Sequence, residues 1–181
     1  FPDTAIVLDH FGGPLGIGPY AGQADAVYAD WKRDIDELAR CPNVVAKLGG
    51  LAMPVNGFDW HKRELRPTSR QLAEATARYV LYTIERFGPQ RCMFESNFPV
   101  DGLCGTFADI FGGFDAITRG FSDAERRAAI DGDAGLDGQA GRVIPAPPLA
   151  AGFQVHTGGE FPTVEREPVA VRKHTPVITR W

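Results

Sequence analysis

Two short polar groups in this sequence carry side chains suited to acid–base or metal chemistry, and each follows an apolar run. The first contains His10 and the second contains Glu95 and Asn97. A histidine in such a place can ligate a divalent metal or act as a general base on bound water. A glutamate can serve as base, acid or metal ligand. We therefore expect His10, Glu95 and Asn97 to be catalytic, with His10 also the metal ligand.

Each of these assignments has a structural alternative. His10 can simply end a strand at the surface, and Glu95 can form an ion pair with Lys47 of a neighbouring strand. Side chains alternate along a strand, so Glu95 and Asn97 should share a face. The same alternation predicts that Asp9 points away from His10. We expect Asp9 to orient a neighbour rather than share a ligand with His10.

Three further residues are candidates for substrate binding, namely Lys47, His61 and Asp101. An unpaired ammonium in an apolar strand is costly, so Lys47 must reach solvent, pair or work in a pocket. His61 lies in an aromatic-rich loop that contacts substrate or packs as a lid. Asp101 either reaches back to the site or starts a turn.

The elements that must position these side chains follow a repeating strand–loop–helix order. Short apolar runs predict strands, and helical spacing of apolar residues predicts the helices between them. Three such units in series predict a parallel sheet whose strands are buried on both faces. The predicted strands are residues 5–8, 44–48 and 92–94, and the predicted helices are 25–40, 72–87 and 107–117.

Local signals also predict where helices begin and end. Gly88-Pro89 is a stop signal for the second helix. Ser122 and Glu125 have the spacing of a capping box that opens a fourth helix. Gly112-Gly113 should weaken the third helix.

Composition excludes several classes of protein. Hydrophobic residues make up 44% and charged residues 23% of the 181, which is typical of a globular domain. A net charge of −4 without a basic stripe argues against nucleic acid and anionic membranes as partners. We find no apolar stretch near the roughly 20 residues that span a bilayer, so we expect neither a membrane span nor a secretory leader. The three cysteines lack zinc-type spacing, so we expect reduced thiols in a cytoplasmic protein.

The chain divides at about residue 130. Residues 1–130 hold the strand and helix patterns, whereas residues 131–181 are rich in Gly and Pro without a sustained period. We expect an irregular tail there, with a short strand at most near residues 169–171. Phe1 stands where an initiator Met would be expected, which indicates a fragment of a longer reading frame.

Four ordered pieces together resemble the C-terminal half of the amidohydrolase-related (amidohydrolase 2) family, over about residues 1–130. The family consists of TIM-barrel hydrolases, including sugar-lactone and pyrone-dicarboxylate lactonases, with some decarboxylase relatives. The ordered set is far more specific than any single piece. The pieces are residues 8–14, 42–51, 86–94 and 95–99, which read LDHFGGP, PNVVAKLGGL, RFGPQRCMF and ESNFP.

The resemblance implies a partial (β/α)8 barrel whose strands correspond to the sixth, seventh and eighth. His10 matches a histidine that binds metal or substrate in relatives. The aspartate that activates water in relatives is replaced by Asn97, and a small glycine is replaced by Glu95. An amide cannot take a proton from water. Either Glu95 supplies the missing carboxylate, or this subgroup works without a tightly held metal.

The implied activity is hydrolysis of a cyclic ester or similar carbonyl substrate, with a small molecule as the partner. The implied cofactor is a divalent metal, zinc or similar, or none. One alternative is a metal-dependent decarboxylase on the same scaffold, and another is an inactive truncated fragment.

The resemblance also has gaps. The paired histidines of the first barrel strand, and everything through the fifth, have no counterpart here. Three strands cannot close a barrel and would leave edges and apolar surface exposed. We therefore expect the isolated chain to be unstable, homo-oligomeric or prone to aggregation.

Overall fold

A computed structural model describes residues 1–130 of the chain, and the side chain of Ile130 is not included. The predicted tail and its short strand near residues 169–171 lie outside the described residues. Strands and helices alternate along the described part, with short 3-10 turns in the loops. The elements are β1 (Ile6–Leu8), α1 (Ala24–Ala39), β2 (Val44–Leu48), α2 (Ser69–Phe87), β3 (Cys92–Phe94), α3 (Phe107–Ile117) and α4 (Asp123–Ile130).

The three strands form a parallel sheet in the order β1-β2-β3, which confirms the predicted α/β architecture. Val7 lies opposite Val45 in the first pair, and Lys47 lies opposite Met93 in the second. All three carboxyl ends therefore open on the same edge of the sheet. The loops that follow β1, β2 and β3 begin at this edge.

Burial differs between the central and the first strand. In β2 every residue is buried except Lys47, as expected for a parallel sheet covered on both faces. The same expectation is wrong for β1, where Ile6 and Val7 are 40% and 42% exposed. Within the described residues β1 pairs with β2 alone, so its outer side lacks a neighbouring strand. Apolar surface is therefore exposed on this side of the sheet.

The helices cover the sheet through an apolar core. Trp31 on α1 packs against Tyr79 on α2, with ring centroids 4.8 Å apart. Phe94 of β3 stacks on Phe114 of α3 at 4.5 Å. The most buried core side chains include Phe11, Ile35, Leu48, Val80, Ile84 and Cys92. Packing against the helices therefore fixes the positions of the strands, and with them the polar side chains that follow each strand.

Helix boundaries follow the predicted signals closely. The Ser122–Glu125 capping box is confirmed, since the Ser122 N–H donates to Glu125 and the Glu125 N–H donates to the Ser122 hydroxyl. α2 ends at Phe87, immediately before the predicted Gly88 stop. A second capping box, formed by Thr68 and Gln71, opens α2.

The two glycines of α3 allow a close helix contact. An added Cβ on Gly112 would lie 2.6 Å from the Ser69 hydroxyl, and one on Gly113 would lie 3.4 Å from the Leu72 Cβ. The intrinsic helix cost of glycine is offset by the approach of α3 to α2. Across the described residues, none of the helices has the length and hydropathy of a membrane span.

Candidate active site

The histidine of the site lies in a strained turn just after β1. His10 and Phe11 have φ values of 49° and 56°, in the left-handed region that non-glycine residues rarely adopt. Phe11 is buried, and the indole N–H of Trp31 donates to the Phe11 carbonyl at 2.7 Å. The packing of Phe11 and the hydrogen bond from α1 therefore stabilise this turn, and they direct the His10 side chain toward β2 and β3.

Gly49 and Gly50, which follow β2, bring backbone unusually close to the reactive side chains. An ideal Cβ on Gly49 would lie 2.3 Å from the Glu95 Cγ, and one on Gly50 would lie 2.6 Å from the His10 Nδ1. Gly50 also has a φ of +83°. Glycine is required here because any side chain would collide with His10 or Glu95.

Four charged or ionisable side chains converge above the strand ends. His10 Nδ1 lies 2.6 Å from Glu95 Oε1. The Lys47 ammonium lies 2.5 Å from Glu95 Oε2 and 2.8 Å from Asp9 Oδ1. One carboxylate thus bridges a histidine and a lysine, and the same lysine joins the carboxylates that follow β1 and β3.

The ammonium of Lys47 controls the electrostatics of this cluster. Its hydrogen bond lowers the pKa of Asp9 below the usual value. Hydrogen bonds to Asp9 and Glu95 raise the pKa of Lys47, so the lysine is held firmly in its charged form. The cluster therefore presents a fixed positive charge beside the histidine.

The donor atoms of the cluster are of a kind that binds divalent metals. Asp9, His10 and Glu95 each offer a ligand atom, and these atoms all lie within 4.8 Å of one another. His10 Nδ1 and Glu95 Oε1 are buried and have no hydrogen-bond partner within the described part of the chain, despite their 2.6 Å separation. Nitrogen and carboxylate ligands suit zinc-like ions. The residues present are therefore compatible with a metal.

Asn97 lies at the margin of this cluster and is paired with a buried carboxylate. Its Nδ2 donates to Asp101 Oδ1 at 3.0 Å, and its backbone φ is 49°. Asp101, in the 3-10 turn Val100–Leu103, is only 2% exposed and also accepts the backbone N–H of Ala52. The Asp101 carboxylate therefore fixes the orientation of the Asn97 amide.

Burial raises the pKa of Asp101 to about 6, although the hydrogen bonds from Asn97 and Ala52 and the nearby His10 oppose that shift. The negative charge of Glu95 adds to it. Since the folded pKa lies above the unfolded one, the stabilisation from this group is complete below pH about 4 and is lost as the pH rises through about 6.

We expect Asp101→Asn to abolish this pH dependence. Between pH 4 and pH 7.5 the free energy of unfolding of the wild type should fall by about 2 kcal/mol relative to the variant. Urea unfolding of both proteins at the two pH values measures the difference and cancels contributions from all other groups. If the two proteins differed in free energy of unfolding by the same amount at both pH values, burial would not raise the pKa of Asp101.

A small cavity of about 30 Å³ adjoins the site behind Gly49 and Gly50. Its wall is mainly apolar and comes from α2, α3 and the loops that follow the strands, and Asp101 and Thr76 add polar atoms. This volume holds one or two waters. The Asp101 carboxyl therefore borders this cavity.

The structure distributes the sequence-derived candidates unevenly. Glu95 contacts both His10 and Lys47, and Asn97 and Asp101 form an adjoining pair. His61 is exposed on the 3-10 turn Trp60–Lys62 and forms no ion pair with the other candidates in the described residues. The ion pair between Glu95 and Lys47, proposed as an alternative to function, is present together with the histidine contact.

The expectation that Asp9 points away from His10 is wrong. Alternation applies only within a strand, and β1 ends at Leu8. The left-handed turn at His10 brings its side chain beside those of Asp9 and Glu95. Asp9 therefore belongs to the cluster.

Sequence reasoning missed two residues that position His10. Trp31 lies on the helix predicted over residues 25–40, and its buried indole N–H, which needs an acceptor, donates to the Phe11 carbonyl beside His10. Gly50 lies against the imidazole, since the atom nearest to an added Cβ there is His10 Nδ1 at 2.6 Å.

Comparisons with known proteins agree with this architecture. Residues 1–132 match the sequence model of the amidohydrolase family (Amidohydro_2). An uncharacterised protein of Sinorhizobium fredii, y4mH, is 36% identical over 134 residues, which are 74% of this chain and 38% of that protein. L-fucono-1,5-lactonase of Burkholderia multivorans is 36% identical over 105 residues, which are 58% of this chain and 32% of the lactonase.

Two crystal structures of an amidohydrolase from Burkholderia multivorans also resemble the chain. The structure with bound Hepes has a TM-score of 0.60 at 30% identity, and covers 72% of this chain and 43% of its own. The structure with bound zinc has a TM-score of 0.58 at 32% identity, and covers 72% and 42%. The chain thus spans less than half the length of the relatives it matches. Because the family model matches residues 1–132 and the solved structures of an amidohydrolase are 30% and 32% identical to it, the chain belongs to the amidohydrolase family.

Proposed function

We propose that this chain carries part of the active site of a hydrolase that opens cyclic esters by attack of water on the carbonyl carbon. The observation that supports this proposal most directly is the contact of Glu95 with both His10 and Lys47 at the carboxyl ends of parallel strands. The relative named L-fucono-1,5-lactonase supports the choice of a lactone as the substrate class.

In this proposal Glu95 is the general base. Its Oε2 contacts Lys47 at 2.5 Å and its Oε1 lies 2.6 Å from His10 Nδ1, so these two side chains orient the carboxylate that takes the proton. A water molecule gives a proton to Glu95 while its oxygen bonds to the lactone carbonyl carbon. The electron pair of the carbonyl double bond moves to the carbonyl oxygen.

The second half of the reaction returns the proton. The negative oxygen of the tetrahedral species is stabilised by His10 and by the charged Lys47. When the carbonyl re-forms, the ring C–O bond breaks, and the leaving alkoxide takes the proton held by Glu95. The product is an open-chain hydroxy acid, and the enzyme returns to its starting state.

Asn97, Asp101 and His61 have supporting roles in this proposal. Asp101 orients the Asn97 amide through the Nδ2 hydrogen bond, and that amide then positions water or substrate. His61, on the exposed loop after β2, contacts the more distant part of a substrate. The strands β1, β2 and β3 correspond in this proposal to the sixth, seventh and eighth strands of a (β/α)8 barrel.

A divalent metal, zinc or similar, is compatible with this site. His10, Glu95 and Asp9 would hold it, since their ligand atoms converge and two of them are free of hydrogen bonds in the described residues. A bound zinc-like ion would supply Lewis-acid polarisation of the substrate carbonyl. The zinc in a structural neighbour supports this choice of metal.

Ring opening of a lactone panel by the purified 181-residue chain tests this proposal. Five- and six-membered sugar lactones are followed by base uptake at constant pH, with and without added zinc, and CO₂ release from aromatic acids is measured in parallel. Glu95→Gln prepared in the same way controls for contaminating activity, because a contaminant would be equally active in both preparations. Asp30→Asn, which changes an exposed carboxylate of α1 that pairs with Arg33, is the control for substitution away from the cluster.

We expect lactone opening above the spontaneous rate, equal in the wild type and in Asp30→Asn. Release of CO₂ without ring opening would replace the proposal by a decarboxylase on the same scaffold. Neither reaction above background, from a chain with native circular dichroism, would mean that this chain has no hydrolase activity of its own.

A further inference from the structure

The candidate metal cluster already contains a cation. The Lys47 ammonium contacts Glu95 Oε2 at 2.5 Å and Asp9 Oδ1 at 2.8 Å, and both residues are candidate ligands. Lysine and a metal ion compete for the same two carboxylate groups, since both are cations that require negative oxygen partners. The metal-binding capacity of the cluster must therefore be considered together with this lysine.

The position of Lys47 in the sheet makes its contact with both carboxylates direct. It lies on the central strand, Asp9 follows the strand on one side, and Glu95 follows the strand on the other. The Lys47 side chain is 29% exposed, so most of it is covered by the surrounding residues. The lysine consequently cannot move far from both carboxylates without breaking two charged contacts.

Charge counting leads to the same conclusion. The two carboxylates carry two negative charges, and Lys47 cancels one of them. A divalent ion that entered beside His10 would meet a single net negative charge and an ammonium within contact distance of the same carboxylates. Because like charges at such distances repel strongly in a partly buried site, the ammonium should lower the affinity for metal.

We infer that Lys47 is the resident cation of this cluster and that a divalent metal ion binds it only in competition with the Lys47 ammonium. The inference rests on the proposed metal-compatible site, but it concerns binding and not turnover. Lys47 thus sets how much of the protein carries metal at a given metal concentration. The same residue provides a positive charge for catalysis when metal is absent.

Zinc titration of the full 181-residue chain by calorimetry tests this inference. Wild type, Lys47→Met and Lys47→Gln are compared, all in a Cys41→Ser background because Cys41 is an exposed thiol. Lys62→Met is the matched control, since Lys62 also pairs with a carboxylate, Asp59 at 2.8 Å, on a loop that contributes no ligand to the cluster.

We expect both Lys47 variants to bind one zinc ion at least roughly tenfold more tightly than the wild type, with Lys62→Met unchanged. Adding Glu95→Gln to Lys47→Met should remove the gain, which locates the ion in this cluster. Thermal unfolding supplies a second measurement, because zinc should raise the Tm of the Lys47 variants more than that of the wild type.

Equal or weaker zinc binding by folded Lys47 variants would overturn the inference. Tighter binding that survives Glu95→Gln would also overturn it, since the metal would then lie elsewhere. These outcomes are independent of lactone turnover, so a chain without hydrolase activity can still confirm competition, and an active chain can still refute it.

Discussion

Glu95→Gln should reduce lactone turnover by the 181-residue chain about 10²–10⁴-fold, the usual contribution of a positioned general base. The variant keeps the shape of the side chain and loses only the ability to take a proton. Its amide oxygen can still accept from Lys47, and its amide N–H can donate to His10 Nδ1. The fold and the placement of His10 should therefore survive, and the loss should fall mainly on kcat, with a smaller change in KM.

The control for this variant removes a different paired carboxylate. Glu74 on α2 accepts from Arg70 at 2.7 Å and lies on an exposed turn of the helix, so Glu74→Gln should leave kcat and KM unchanged. Initial rates over a range of lactone concentrations measure both constants. Turnover by Glu95→Gln within about threefold of the wild type would rule out Glu95 as the base. The amidohydrolase framework would then need another group to activate water.

The buried carboxylate of Asp101 explains why residue 97 is an asparagine and not an aspartate. Asn97 donates its side-chain N–H to Asp101 Oδ1, and Asp101 is almost fully buried. An aspartate at position 97 would place two carboxylate oxygens at about this contact distance, where one of them would have to be protonated. An amide at position 97 and a carboxylate at position 101 therefore belong together in this chain.

The strands and the long helices were predictable because their signals are local. The runs 44–48 and 92–94 coincide with β2 and β3, and the helix predicted over 25–40 is observed as Ala24–Ala39. Parallel pairing followed from the helices between strands, since only a crossover connects parallel neighbours. The family resemblance over about residues 1–130 agrees with the match over residues 1–132.

The geometry of the cluster of Asp9, His10, Lys47 and Glu95 was less predictable. It depends on backbone conformations that cannot be inferred from residue types. His10 was expected to follow strand alternation, but its φ of 49° turns the side chain toward Glu95 and Asp9. The Lys47–Glu95 ion pair was weighed against a functional Glu95, although the structure combines both contacts in one carboxylate. The turn at His10 is stabilised by tertiary contacts such as the hydrogen bond from the Trp31 indole to the Phe11 carbonyl. The spacing of residues in the sequence does not predict such contacts.

Gly50→Ala should be among the most damaging single substitutions near the site, with a loss of about 2–5 kcal/mol in the free energy of unfolding. The added Cβ would lie 2.6 Å from His10 Nδ1 and 2.7 Å from its Cγ, and the φ of +83° is unfavourable for alanine. The His10 ring must move, which separates it from Glu95 and should also abolish turnover. Zinc binding by a Lys47→Met background should weaken for the same reason.

Gly22→Ala separates the two causes of this loss. Gly22 has a similar φ of +76°, but an added Cβ there has nothing within 4 Å. It should lose only the backbone cost of about 1–2 kcal/mol and should retain the His10–Glu95 contact. Urea unfolding of both variants measures the difference, and zinc titration of both in the Lys47→Met background reports the position of His10. Equal losses in the two variants would mean that His10 can shift freely, and that the close approach of Gly50 does not hold the imidazole beside Glu95.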